Sequence, residues 1–134
     1  MEETYRIVDP ESVPETPFPE SGVNHRKLTE ELQAQDMRVN HVTVEPGEVV
    51  GYHSHNRQEE IYVCHEGPGE VYIDGDHREV PEGGIVRIPA PMPRQLLNTG
   101  TEPSVWIMFG APPIGTLEDY GEYQVEADGF QTEE

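Results

Sequence analysis

From Met37 onward apolar and polar positions alternate with a period of two, beginning with MRVNHVTV over residues 37–44. Successive side chains of a strand point to opposite faces, so each such run predicts a strand with one face buried. The pattern continues in VVGYHSH (49–55), EIYVCHE (60–66), EVYID (70–74), GIVRIP (84–89), QLLN (95–98) and SVWIMFG (104–110). Between these runs lie EPGE, NRQE, GPG, the Gly75–Asp76 region and APMP, where Gly and Pro favour turns over ladder pairing. Six to eight strands at roughly ten-residue spacing predict an all-β sandwich or barrel, with the jelly roll among the options.

The flanks have a different texture. TYRIV (4–8) reads as a short strand, and Pro10, Pro14, Pro17 and Pro19 then fix an extended path without amide donors. Residues 1–23 are therefore expected as an arm on the domain surface or on a partner subunit, outside the core. LTEELQAQD (28–36) allows about two helical turns, too few to stand without packing. The predicted organisation is an N-terminal arm over 1–36, a barrel over 37–111 and an acidic C-terminal segment over 112–134, with Tyr120, Tyr123 and Phe130 as anchors.

Length and charge narrow the function. A chain of 134 residues is one domain by size, enough for a single core. Its 27 acidic and 8 basic residues give a formal charge of -19, and Lys27 is the single lysine. Phosphate backbones and anionic membrane surfaces would be repelled, which excludes nucleic acid and membrane as partners. Spread along the whole chain, this charge predicts a salt-adapted, halophilic protein, destabilised by self-repulsion in dilute buffer. There is no run of 18 apolar residues, and MEETYRIVDPE lacks the basic and apolar regions of a secretory signal, so a cytoplasmic location is expected. One cysteine, Cys64, excludes an internal disulfide.

Candidate chemistry sits in GYHSHNRQEE (51–60). His53 and His55, two apart on a strand, face the same way, and a four-residue turn returns the chain so that Glu60 can point at both imidazoles. Two neutral imidazoles and a carboxylate suit one divalent transition metal, Fe, Mn, Ni, Cu or Zn. The competing reading is a polar strand end that happens to carry two histidines. Tyr62 and Cys64 share the parity of Glu60 and face the same interior, Tyr62 as a substrate hydrogen-bonding or filling residue and Cys64 as an inert buried thiol. His41 is expected as a hydrogen-bonded wall residue, Trp106 and Met108 as core, and Gln58, His65 and His77 as solvated positions.

The wider frame is a known one. Gly47, His53, His55, Glu60 and Gly67, separated by five, one, four and six residues, resemble the first motif of the cupin family. Gly83, Pro89 and Asn98, within a stretch ending IPAPMPRQLLNTG, resemble its closing motif, with Asn98 as a structural turn residue. The resemblance covers roughly residues 37–111 and implies a double-stranded β-helix with a metal in the barrel mouth, usually in a homodimer. It departs at Pro91, where the family places a glycine, and at Arg94, where it places a third histidine. Arginine stays protonated and offers only donors, so it ligates nothing. At about 6 Å a guanidinium would repel a divalent ion by about 5 kcal/mol at an effective dielectric near 20.

Two arrangements satisfy this. Either His53, His55 and Glu60 hold the metal with Arg94 set back to meet an anionic ligand, water or His41 filling vacant positions, or Glu60 pairs with Arg94 and no metal is held. The first gives a metal-binding cupin that binds or converts a small polar or anionic metabolite. Arg94 and Tyr62 are then the catalytic candidates, in oxygenase, isomerase or decarboxylase chemistry if the chain is an enzyme. The second gives a metal-free ligand-binding or sensory module.

Overall fold

The computed structural model describes residues 4–19, 21–113 and 124–131. In chain order the elements are β1 (Thr16–Pro17), β2 (Asn24–Lys27), α1 (Leu28–Leu32), β3 (Arg38–Val44), β4 (His53–Ser54), β5 (Glu59–Glu66), β6 (Gly69–Ile73), β7 (Asp76–Val80), β8 (Ile85–Ile88), β9 (Arg94–Leu97), β10 (Ser104–Ala111) and β11 (Gln124–Val125). They form two antiparallel sheets, β1-β2-β3-β10-β5-β8 and β11-β4-β9-β6-β7, which is the all-β jelly-roll arrangement expected from the alternation.

Parity explains the core. Val42 and Val44 on β3, Tyr62 and Cys64 on β5, and Trp106 and Met108 on β10 all point between the sheets, where Val71, Ile88 and Leu96 meet them. The opposite face of β3 is also covered, because Val39 packs with Val13 and Leu28. The N-terminal segment thus enters the core, contrary to its expected role as a surface arm: Val13 and Val23 are 6% and 0% exposed, and β2 pairs with β3.

Other corrections follow from pairing. Residues 4–8 make no strand, and Tyr5 and Ile7 are 83% and 89% exposed. Alternation becomes a strand only where the run pairs with a neighbour, and the edge of β3 is taken by β2, then β1. Conversely, β7 (DHREV) carries almost no apolar signal, yet it pairs with β6 from Gly69↔Val80 to Ile73↔Asp76. The link is Asp74-Gly75, with φ of 48° and 86°, the doubly positive two-residue turn that matches strand twist. The predicted strand over 49–55 shrinks to β4, with Val49 making a single bridge to Leu97. The expected helix over 28–36 stops at Leu32, where Gln33 takes a left-handed conformation. At the C-terminus Phe130 is the anchor foreseen: its ring lies 5.6 Å from that of Tyr72, and its backbone bonds to Gln95. Tyr120 and Tyr123 fall outside the described residues.

Candidate metal centre

Local pairing brings the three candidate ligands together. β4 carries His53 opposite Arg94 of β9, and His55 is held by its amide on Ala90 O at 3.0 Å. β5 carries Glu60 opposite Ile88 and Gly110. His53, His55 and Glu60 are 5%, 3% and 7% exposed, and one donor atom from each lies within 4.8 Å of the others. The two imidazole rings meet edge to face with centroids 5.1 Å apart. His53 Nδ1 lies 2.7 Å from Gly51 O, so this nitrogen carries the proton and Nε2 keeps its lone pair. A backbone carbonyl orienting an imidazole in this way is the usual support of a metal ligand.

Glu60 is contested. Its Oε1 accepts from Tyr62 Oη at 2.8 Å and from Arg94 Nη1 at 2.6 Å, and His55 Nε2 stands 3.5 Å away. Arg94 is fully buried and donates further to Pro89 O at 2.5 Å, Ala90 O at 3.0 Å and Met92 O at 2.9 Å. The closing motif, IPAPMPR, therefore wraps its own carbonyls around the guanidinium. That explains how a position expected to hold a histidine accepts an arginine without leaving a buried charge unpaired.

The electrostatics agree. Burial pushes the His53 imidazole down from 6.5 to about 4, against the pull of Glu60, so it is neutral at physiological pH. For Glu60, burial acts to raise the pKa, but the hydrogen bond with His55 and the charges of His55, His53 and Arg94 outweigh it and hold the carboxyl at about 2. At neutral pH His53 is uncharged, and the always-protonated Arg94 guanidinium lies 2.6 Å from the carboxylate. A neutral His53 beside an ionised Glu60 carboxylate gives those two groups the protonation states a divalent cation requires.

The remaining candidates separate by face. Tyr62 and Cys64 are buried beside Glu60 as expected, at 1% and 0% exposure. Asn98 has its turn role: Nδ2 donates to Val44 O at 2.9 Å and Glu102 O at 2.7 Å, and Oδ1 accepts from Gly100 N at 2.8 Å. His65 and His77 are exposed. Two expectations fail. Gln58 is buried, its Nε2 3.2 Å from Pro112 O, because the turn before β5 tucks under Gly110 instead of reaching solvent. His41 is buried, but its Nδ1 has no hydrogen-bond partner among the described residues, and it lies on the face of β3 opposite Val42, away from the barrel interior. It is therefore no substitute ligand. Arg38 and Asn40 escaped the sequence reading, although their parity with Val42 already placed them on the inward face.

This fold and this spacing define a family. Residues 40–110 match the family described as Cupin domain, and the chain belongs to it. Among solved structures it is similar to a putative sugar phosphate isomerase from Acidithiobacillus ferrooxidans (24% identity over 69% of this chain, TM-score 0.63), of whose length it spans 61%. It is also similar to a sugar phosphate isomerase of the cupin superfamily from Silicibacter pomeroyi (22%, 79% of this chain and 75% of that one, TM-score 0.70). A third is a predicted oxalate decarboxylase from Thermotoga maritima (18%, 80% of this chain and 99% of that one, TM-score 0.69). At these identities the likeness concerns the fold. No curated protein matches the chain. Among the described residues no helix is long and apolar enough to cross a membrane.

Proposed function

We propose that the chain is a metal-dependent cupin in which His53, His55 and Glu60 hold one divalent transition metal and a small polar or anionic metabolite binds beside it. The observation that carries this reading is the convergence of three buried donors within 4.8 Å, one of them already locked in the ligating tautomer by Gly51 O. Burying two imidazoles and a carboxylate costs desolvation that a bound cation offsets. When bound, the metal supplies Lewis-acid polarisation of a substrate carbonyl or enolate oxygen, within isomerase, decarboxylase or oxygenase classes of reaction. The chain contributes the rest. Gly51 O orients His53, Tyr62 Oη fixes the Glu60 carboxylate, and Arg94 places positive charge at its Oε1.

A second reading rests on the 2.6 Å contact between Arg94 Nη1 and Glu60 Oε1. If that ion pair persists, Glu60 is spent and the barrel is a metal-free ligand-binding or sensory module. Elemental analysis of protein purified without a metal-affinity step separates the two. Near-stoichiometric Fe, Mn, Ni, Cu or Zn that disappears in His53→Ala supports the first; metal-free protein that takes up none on titration supports the second. A homodimer in the cytoplasm belongs to the same proposal. What supports assembly is Ile85, 67% exposed and paired with the half-buried Val63 on the outer sheet face. Sedimentation velocity reads it directly.

A further inference from the structure

The strand that carries His53 is short, and the barrel holds it at few points. Among the described residues β4 meets β9 at one pair, His53↔Arg94, with Val50 N on Leu96 O at 2.9 Å before it and His55 N on Ala90 O at 3.0 Å after it. Its other side is covered by the C-terminal stretch QVEADGFQ (124–131), where β11 adds the pairs Gln124↔Ser54 and Val125↔His53. Glu126 extends that contact. Its amide donates to Tyr52 O at 2.8 Å, and its Oε2 accepts from Ser54 Oγ at 2.7 Å. The backbone from Tyr52 to Ser54, which joins Gly51 to His55, therefore lies between β9 and the C-terminal strap.

The outer face of the second sheet fastens this strap. Arg94 meets Glu60 in the interior and Leu96 enters the core, so Gln95 between them points outward, in one row with Tyr72 and His77. An outward glutamine only 4% exposed has to be covered, and Phe130 covers it. The Phe130 amide donates to Gln95 Oε1 at 2.8 Å, while Gln95 Nε2 donates to Phe130 O at 3.2 Å and to Val50 O at 2.7 Å. One side chain thus ties β9, the approach to β4 and the strap together. The Phe130 ring centroid lies 5.6 Å from that of Tyr72 and 4.7 Å from that of His77. Gly129 passes too close for any side chain, since a Cβ there would stand 2.6 Å from Tyr52 Cβ.

We propose that this strap is a positioning element of the metal centre: clamped through Gln95 and Phe130, it holds residues 52–54 in the extended form that turns His53 toward His55 and Glu60, and metal uptake tightens the strap in return. A ligand set assembled in only a fraction of the molecules binds in proportion to that fraction, so releasing the strap weakens uptake without removing a donor atom. Linkage makes the effect mutual. The inference rests on the metal reading, while the grip of the strap on β4 is measurable in metal-free protein.

The full chain is compared as wild type, Phe130→Ala, Gly129→Val and the conservative Phe130→Tyr, by Zn(II) calorimetry and by amide hydrogen exchange with and without Zn(II). Phe130→Ala and Gly129→Val are expected to lower Zn(II) affinity about tenfold. In the metal-free state both should speed exchange at residues 52–55 and leave β3, β5 and β10 as protected as in wild type. Phe130→Tyr keeps the ring and is expected to match wild type, in which Zn(II) slows exchange across residues 124–130. Zn(II) affinity equal to wild type in both Phe130→Ala and Gly129→Val would overturn the role of the strap and leave the metal reading intact. Exchange that quickens in β3, β5 and β10 as much as at 52–55 would overturn it too, because the strap would then only stabilise the whole fold. Wild-type protein that binds no Zn(II) would remove the proposed function; faster exchange at 52–55 in Phe130→Ala would still uphold the grip on β4, and unchanged exchange would overturn it.

Discussion

Glu60 is the residue on which two chemistries meet. Arg94 keeps three backbone acceptors whatever Glu60 does, so turning the carboxylate toward a cation leaves the guanidinium hydrogen-bonded rather than stranded. The same desolvation that keeps His53 neutral makes the metal-free protein acid-sensitive. His53 and His25 titrate at about 4 in the fold, against 6.5 for the ordinary imidazole. Below about pH 6.5 the unfolded chain takes up protons that the folded one refuses, so stability falls as pH drops through the window from 6.5 to 4. Glu60, held at about 2 against 4.5, extends the loss from pH 4.5 downward. Lower pH also relieves the overall negative charge, so the melting temperature is best followed in high salt from pH 7.5 to 4. A clear decline is expected, and a flat profile would contradict the buried, neutral imidazoles. The pairing of Glu60 with Arg94 was legible in the sequence as one of two arrangements, because few groups satisfy a buried guanidinium. The burial of Gln58 was not, since nothing in NRQE distinguishes a solvated turn from one folded under a glycine.

At the scale of elements, the inner face of the barrel is set by close approach as much as by hydrophobicity. A Cβ on Gly69, at the start of β6, would stand 2.3 Å from Trp106 Cζ2 and 2.9 Å from Cε2 of a fully buried indole. Gly69→Ala is therefore expected to destabilise the fold by about 1–3 kcal/mol, an overpacking cost read from the shift in denaturant midpoint. An unchanged midpoint would mean that the Trp106 ring has room to move. Strands β3, β5 and β10 could be read from alternation because one face of each is apolar and buried. TYRIV alternates equally well but pairs with no strand among the described residues, while DHREV lacks the pattern and is a strand through its Asp74-Gly75 turn and the partner that turn delivers. Periodicity reports burial, and pairing depends on what edge is open.

Across the whole molecule, a charge of -19 on 134 residues sets the solution behaviour. Screening this repulsion is expected to raise the melting temperature from dilute buffer to multimolar KCl, and a flat or falling curve would reject salt adaptation. The two sheets bring β4 and β5 together around one buried group, and the central claim is that this group ligates a metal. Crystals grown with Mn(II) or Zn(II) and measured at the metal's absorption edge test that claim most directly. The account predicts one anomalous peak at about 2.1 Å from an imidazole nitrogen of His53 and of His55 and from a Glu60 carboxylate oxygen. No peak at that position, with Glu60 still bonded to Arg94 at saturating metal, would contradict it.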